Sequence, residues 1–301
     1  MAVITDNQTI SSNVSGFKKR IDESAATMML DNLQTFMYQK PIQSCVRESV
    51  SNALDAIKEK RMAIAILTGE AKVSDYYVEK EVDAKQADIY RDSKFNKEYY
   101  DLKWLDQKDQ VTLHYHNTDV SQRDTFTITD TGVGLGGRRL EGFFNLGYSS
   151  KRLNTKELGG FGLGAKSPLA TGVESYRLLT RYNGKEFCFD VYSHKVDCVY
   201  GKWDESGKTN GIYEFQPQIS GYEKKIEVVD GDSVEVDDES KPIYHTFKAY
   251  YKPTTEKNST SIIIGVKKHN KTQFFDAVRS QLMYIKDEIK FFQTYHHDPA
   301  M

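Results

Sequence analysis

Glu48, Asn52 and Asp55 are spaced i, i+4 and i+7 in the stretch RESVSNALDAI. On a helix that turns about 100° per residue they share one narrow stripe. A carboxamide oxygen beside carboxylates suits Mg²⁺, a hard cation that takes oxygen ligands and keeps waters and phosphates. Asn is a mediocre helix former, so helix support does not explain its place between two acids. The second chemical signal is glycine. Ten of the chain's 20 glycines fall between Gly132 and Gly164. Glycine reaches positive φ and lets a ligand approach the backbone with no Cβ in the way. Two loops carry this density: DTGVG from Asp130 and GGFGLG from Gly159, with a polar segment at 147–158 between them. Backbone N–H groups in such loops cradle phosphates. The pattern predicts a nucleotide pocket closed by a polar flap.

These residues need elements to hold them. Pro41 suits the first turn of a helix that runs to about residue 61. Val46, Val50, Ala53 and Ile57 fall opposite the polar stripe and predict packing on a sheet. An earlier helix is predicted over 25–38. Alternation predicts strands at 111–116 and 125–129, the second running straight into Asp130. A short helix is expected over 140–146, and another turn of helix from Pro168 to Gly172. Strands at 173–181 and 186–192 flank Asn183-Gly184, a pair that tolerates positive φ in a tight hairpin. Further strands are expected at 195–200, 211–216, 244–251 and 260–266, an acidic loop at 230–241, and an amphipathic helix over 272–289. Helices first and an antiparallel sheet later predict an α+β fold: a two-layer sandwich with a mixed, mostly antiparallel sheet covered by helices on one face. The whole of 1–301 is read as one domain, with an N-terminal arm at 1–24, a charged helical insertion packed on the surface at 62–110, and an acidic insertion or hairpin at 218–258.

Composition narrows the function. A formal net charge of −2 gives no basic field, so general nucleic-acid binding is not expected. There is no N-terminal apolar stretch of the kind that opens a secretory signal. Apolar runs such as Ile262 to Ile264 are far too short to span a bilayer. Cys45, Cys188 and Cys198 show no metal or redox spacing and read as free thiols in a reducing compartment. Gly132, Gly134 and Gly137 spell G-x-G-x-x-G, but a dinucleotide fold needs βαβ alternation afterwards and this chain turns antiparallel. Gly159 to Ser167 nearly spells a phosphate-binding loop ending in G-K-S, but Ala165 separates Gly164 from Lys166.

Glu48, Asn52 and Asp55, then DTGVG, then GGFGLG, occur in the order of the three motifs of the GHKL (Bergerat-fold) ATPases, which the chain resembles. That group includes the Hsp90 chaperones, gyrase B, MutL and the sensor histidine kinases. Within it, TISSNVSGFKK, the helix motif, the segment SSKRLNTKELGGFGLGAKSP and the last strand and helix resemble the rIIA-like proteins of T-even phages. Those proteins continue well past this length, so the chain is expected to be an N-terminal piece or a short relative.

The resemblance implies ATP and Mg²⁺ as cofactors and assigns roles. Glu48 is the general base that activates water. Asn52 holds Mg²⁺, and Asp55 lines the nucleotide side of its helix. Asp130 accepts a hydrogen bond from the adenine amino group, where the keto group of guanine would set an acceptor against an acceptor. Gly132 and Gly134 pass beneath base and sugar. Gly160, Phe161, Gly162, Leu163 and Gly164 bring N–H groups to the phosphates, and Lys166 adds charge near the β- and γ-phosphates. Thr260 matches the family's strand threonine near adenine, with Thr209 as a competing choice. Several GHKL families take a lysine for the γ-phosphate from a following domain, for which no length remains here. A weak ATPase is therefore expected, completed by Lys166 or by an ATP-driven homodimer. The alternative is an ATP-binding module without meaningful turnover that acts through a host or phage protein partner. The phage resemblance implies lysis control or protection against host exclusion. It places the protein in the infected bacterial cytoplasm or peripherally on the cytoplasmic face of the membrane, with no transmembrane segment.

Overall fold

Alternation of apolar and polar residues builds the sheet. In β1 (Val111–Asn117), Val111, Leu113 and Tyr115 are buried. In β2 (Asp124–Asp130), Phe126 and Ile128 are buried while the three threonines between the buried positions face the other way. The computed structural model describes residues 40–77, 95–117, 124–144, 164–203, 207, 209–214, 218–229, 232–245, 248–282 and 289–295. The remaining strands are β3 (Ser175–Tyr182), β4 (Lys185–Tyr192), β5 (Val196–Cys198), β6 (Gly211–Glu214), β7 (Gln218–Val229), β8 (Asp232–His245), β9 (Lys248–Pro253), β10 (Ser259–Val266) and β11 (Ile289–Tyr295). A nine-stranded open sheet runs β11-β1-β2-β10-β3-β4-β9-β6, with β5 paired to β4. Among the described residues, its β1–β11 pair alone is parallel. β7 and β8 form a separate two-stranded hairpin. The fold is α+β, with a mostly antiparallel sheet and few helices.

Helix α1 (Pro41–Thr68) crosses the sheet. Pro41 starts it, and Gly69 ends it at φ 82, folding its amide back onto the last turn. Val46, Val50, Ala53 and Ile57 are buried with Leu113, Phe126, Ile128 and Leu178 in one core. Each buried Val, Leu, Ile or Phe among them contributes about 1.5–3 kcal/mol. Short helices follow as α2 (Leu102–Leu105) and α3 (Gly137–Phe144), and α4 (Lys271–Gln281) packs beside α1. Phe274 and Phe275 of α4 sit over Phe126 and Tyr115, each pair with ring centroids 5.0 Å apart.

Several expectations are corrected. α1 continues seven residues past 61 because Met62 and Ala63 are buried and hold its last turns down. α3 starts at Gly137, earlier than its apolar residues suggest. The acidic stretch 230–241 lies largely in β8, whose Val234 and Val236 keep strand alternation among the acids. The strand expected at 244–251 is divided between β8 and β9. The helix expected over 272–289 ends at Gln281, and Ile289 opens a strand that pairs with β1. Residues 95–110, read as part of a surface insertion, carry the buried Tyr100 and Leu105, which pack with Ala63 and Val133. The arm at 1–24, the helix at 25–38 and the flap at 147–158 lie outside the described residues.

Candidate functional site

At one end of the site stands Asp130, the last residue of β2 and only 6% exposed. Its register partner on β10 is Thr260, and the partner of Thr260 on β3 is Thr180. Directly opposed residues project on the same face, so these three form a row. Thr209 bridges Trp203 and is exposed, outside this row. Of the two threonines, Thr260 is the one beside Asp130.

Asp130 Oδ1 accepts the Gly132 N–H at 2.8 Å, which folds the first glycine loop back onto the carboxylate. Thr180 Oγ1 accepts the Leu135 N–H at 2.8 Å and holds the other side of the loop. Its glycines have no room for a side chain. A Cβ on Gly132 would lie 2.6 Å from Ala56 Cβ, and one on Gly134 (φ +71) would lie 2.1 Å from the Arg181 carbonyl oxygen.

At the other end, the turn Gly164–Lys166 lies against α1. A Cβ on Gly164 would come within 3.1 Å of Glu48 Oε2 and 3.3 Å of Asn52 Nδ2. The helix stripe and Gly164, the last glycine of the second motif, therefore meet. Ser167 anchors the turn by donating to the Gly164 carbonyl at 2.7 Å. Ser167 and Ser49 also hydrogen-bond the Cys45 thiol, whose pKa burial pushes up to about 12. Cys45 is thus a packing residue beneath the turn rather than a nucleophile. Glu48 is one-third exposed, with Arg47 Nη2 at 3.2 Å from Oε1. Asp55 is buried at 1% exposure, next to the Ala56 that Gly132 touches. The Lys166 ammonium, 3% exposed, donates to the Phe143 carbonyl in the last turn of α3. Gly160, Phe161, Gly162 and Leu163 lie outside the described residues.

Two groups of residues escaped the sequence reading. The first is a buried cluster of Glu59, Arg139 and Tyr100. Arg139 donates to Glu59 and, at 3.0 Å, to the Tyr100 hydroxyl, which in turn donates to Glu59 at 2.6 Å. Burial opposes charge on Arg139, but the Glu59 carboxylate outweighs it and keeps the guanidinium pKa above its ordinary value. Glu59 falls at i+11 from Glu48, so it prolongs the same stripe, and that spacing was readable. The second group is Gln107 and Asn258. Asn258 Nδ2 donates to the Val133 carbonyl at 2.9 Å, and Gln107 Nε2 donates to the Asn258 carbonyl at 2.5 Å.

Among the described residues no cluster of three or more His, Cys, Asp or Glu is arranged to hold a metal ion. A divalent ion here would need phosphate oxygens and waters to complete its shell, the usual habit of Mg²⁺. No described helix is long and apolar enough to cross a membrane. Compared with protein-family models and with curated proteins, the chain finds no match in either.

Proposed function

We propose that the chain is an Mg²⁺-dependent ATP-binding domain of the GHKL type, with a Bergerat-type two-layer sandwich and slow hydrolysis. One observation carries the reading. Two sites far apart in sequence converge on one helix: Gly164 stands against Glu48 and Asn52, while Gly132 stands against Ala56, beside Asp55. Asp130 and Thr260, register partners, set a buried acceptor and a hydroxyl at the start of the first loop. An acid and a threonine there suit an exocyclic amino group, and an oxygen-bearing stripe beside a glycine turn suits phosphates.

Each residue has a task in this reading. Glu48 orients and deprotonates the attacking water. Asn52 would hold Mg²⁺, which would supply charge neutralisation at the phosphates. Asp55 supports that face, and the Gly164 turn with Lys166 attends the phosphate end. Isothermal titration with ATP, ADP and GTP, with and without Mg²⁺, tests the proposal. Micromolar-range ATP binding that strengthens with Mg²⁺ and exceeds GTP binding is expected, and its absence in folded protein sinks the reading.

A second reading, an ATP-driven switch without meaningful turnover, has its own support. Arg47 lies on the Glu48 carboxylate, and the Lys166 ammonium is engaged by the Phe143 carbonyl. Both contacts would have to open for full catalysis. Multiple-turnover phosphate release decides between the two, and a rate per molecule that rises with protein concentration would add the ATP-driven dimer. The rIIA-like resemblance extends the proposal to a phage function in lysis control or protection against host exclusion, exercised in the infected bacterial cytoplasm.

A further inference from the structure

We propose that Asn258 is a positioning residue of the base subsite: it ties the first glycine loop to the head of β10 and so fixes how Asp130 and Thr260 face the base. The inference rests on the ATP reading above. Asn258 is 1% exposed and lies two residues before Thr260. Its Nδ2 donates to the Val133 carbonyl at 2.9 Å and to Asn183 Oδ1 at 3.2 Å. Its Oδ1 accepts the Asn183 N–H at 2.8 Å. Its own N–H donates to the Trp104 carbonyl at 3.1 Å, and its carbonyl accepts from Gln107. Both amide ends of the side chain and both backbone groups are engaged, so the side chain has one orientation.

The consequence follows from peptide geometry. In a planar trans peptide the C=O and the next N–H point to opposite sides. With the Val133 carbonyl held on Asn258, the Gly134 N–H must point to the other side of the loop. The same loop begins at Asp130 and returns to it through the Gly132 N–H. Thr260 is the register partner of Asp130. One side chain therefore links the loop that follows Asp130 to the head of β10, the two segments that lie side by side at Asp130 and Thr260. Asn258 itself is outside the row of Asp130, Thr260 and Thr180, so its role is to hold rather than to touch the base.

The test compares ATP with GTP binding in the full chain for Asn258→Asp and Asn258→Ala. The aspartate keeps an acceptor for the Asn183 N–H but sets an oxygen against the Val133 carbonyl. The expected result is an ATP-over-GTP preference reduced about tenfold, with affinity for inorganic tripolyphosphate, a probe of the Gly164 end, unchanged. Tyr100→Phe serves as the stability control: it loses the hydroxyl on Glu59, lowers the melting temperature and keeps the preference. An unchanged preference in folded Asn258→Asp overturns the proposal. Should neither Asn258 variant fold, Gln107→Met removes the donor to the Asn258 carbonyl from a half-buried position, and about a threefold loss of preference is expected; no loss overturns the proposal. A wild-type chain that shows no preference for ATP overturns the ATP reading instead. The tie is then judged in the nucleotide-free chain, where the Gly132 and Gly134 amide resonances must shift in Asn258→Asp. Unshifted resonances reject the tie itself.

Discussion

The two glycine motifs of this chain use the same residue type for opposite purposes. In the first loop, the space above each glycine is filled by the protein itself. Cβ atoms on Gly132, Gly134 and Gly136 would meet Ala56, the Arg181 carbonyl and the Tyr182 ring at 2.6, 2.1 and 1.9 Å. In the second, the space above Gly164 is bounded by the ends of Glu48 and Asn52 at 3.1 and 3.3 Å. The first loop is thus locked by packing, with ties to Asn258, Thr180 and Asp130. At Gly164 the backbone instead faces the ends of two polar side chains, which can give way. Under the proposed function, a rigid end at the first loop would suit selection of a base and an adjustable end at Gly164 would suit moving phosphates.

Gly134→Ala gives the largest effect. It requires an L-residue at φ +71 and drives a methyl into the Arg181 backbone. A loss of about 4–5 kcal/mol is expected in urea unfolding. A loss below about 1 kcal/mol would break the contrast between the two loops. Arg139→Met comes next. It leaves the Glu59 carboxylate buried against Tyr100, and removing one partner of such a pair costs about 3–5 kcal/mol. Adding Glu59→Leu should restore most of the loss, since a packed apolar pair needs no counter-charge. If the double variant is as unstable as the single one, the cluster is held by shape and not by charge.

Ligand binding sharpens the same contrast. Gly164→Ala should unfold within about 0.5 kcal/mol of wild type, because only side-chain ends need give way. Its phosphate release should nevertheless fall about a hundredfold, since the methyl displaces Glu48 and Asn52. Asp130→Asn should weaken ATP by about 1.5–3 kcal/mol through a lost charge-assisted hydrogen bond, and leave tripolyphosphate binding alone. Equal losses for both probes in Asp130→Asn would mean that the two ends are not separate subsites.

What was readable in the sequence was local. The Asn183-Gly184 turn takes φ values of 46 and 78, as its residue types require. The face of α1 carrying Val46, Val50, Ala53 and Ile57 is buried, as its period requires. β1 and β2 differ from their expected bounds by a residue or two. The rest depended on partners distant in the chain. Asn258 meets Val133 across 125 positions and Gln107 across 151, and no spacing rule reaches that far. β11 pairs in parallel with β1, a choice made by the sheet edge and not by the residues of 289–295 alone. Glu59 is the exception, a missed residue that the stripe itself announced. Residues 95–110 looked like a solvated insertion because Tyr, Lys and Asp dominate them. Their role is visible only when Trp104 and Gln107 are seen holding the backbone of Asn258.

The smallest expected effect concerns how that brace is held to α1. Lys60, 1% exposed, places its ammonium 2.6 Å from Asp109 Oδ1 and 3.1 Å from the Gln107 carbonyl. Burial raises the Asp109 carboxyl pKa, but hydrogen bonds and charge from Lys60 and Arg61 outweigh it and hold the value below the ordinary 3.8. The unfolded chain therefore binds the proton more readily than the folded one across the ordinary carboxyl range. Stability from this contact is fully present above that range and is lost as pH falls through the folded pKa. The Asp109 side chain is 26% exposed against 1% for Lys60, and this partial screening holds the contribution to about 1 kcal/mol. Urea unfolding at a series of pH values should show a shallower acid limb for Asp109→Asn than for wild type. ATP affinity at neutral pH should stay the same, because Gln107 keeps its bond to Asn258. If the two acid limbs superpose, the brace does not depend on this ion pair. If ATP affinity falls with the limb, the rigidity of the base end reaches out as far as the surface of α1.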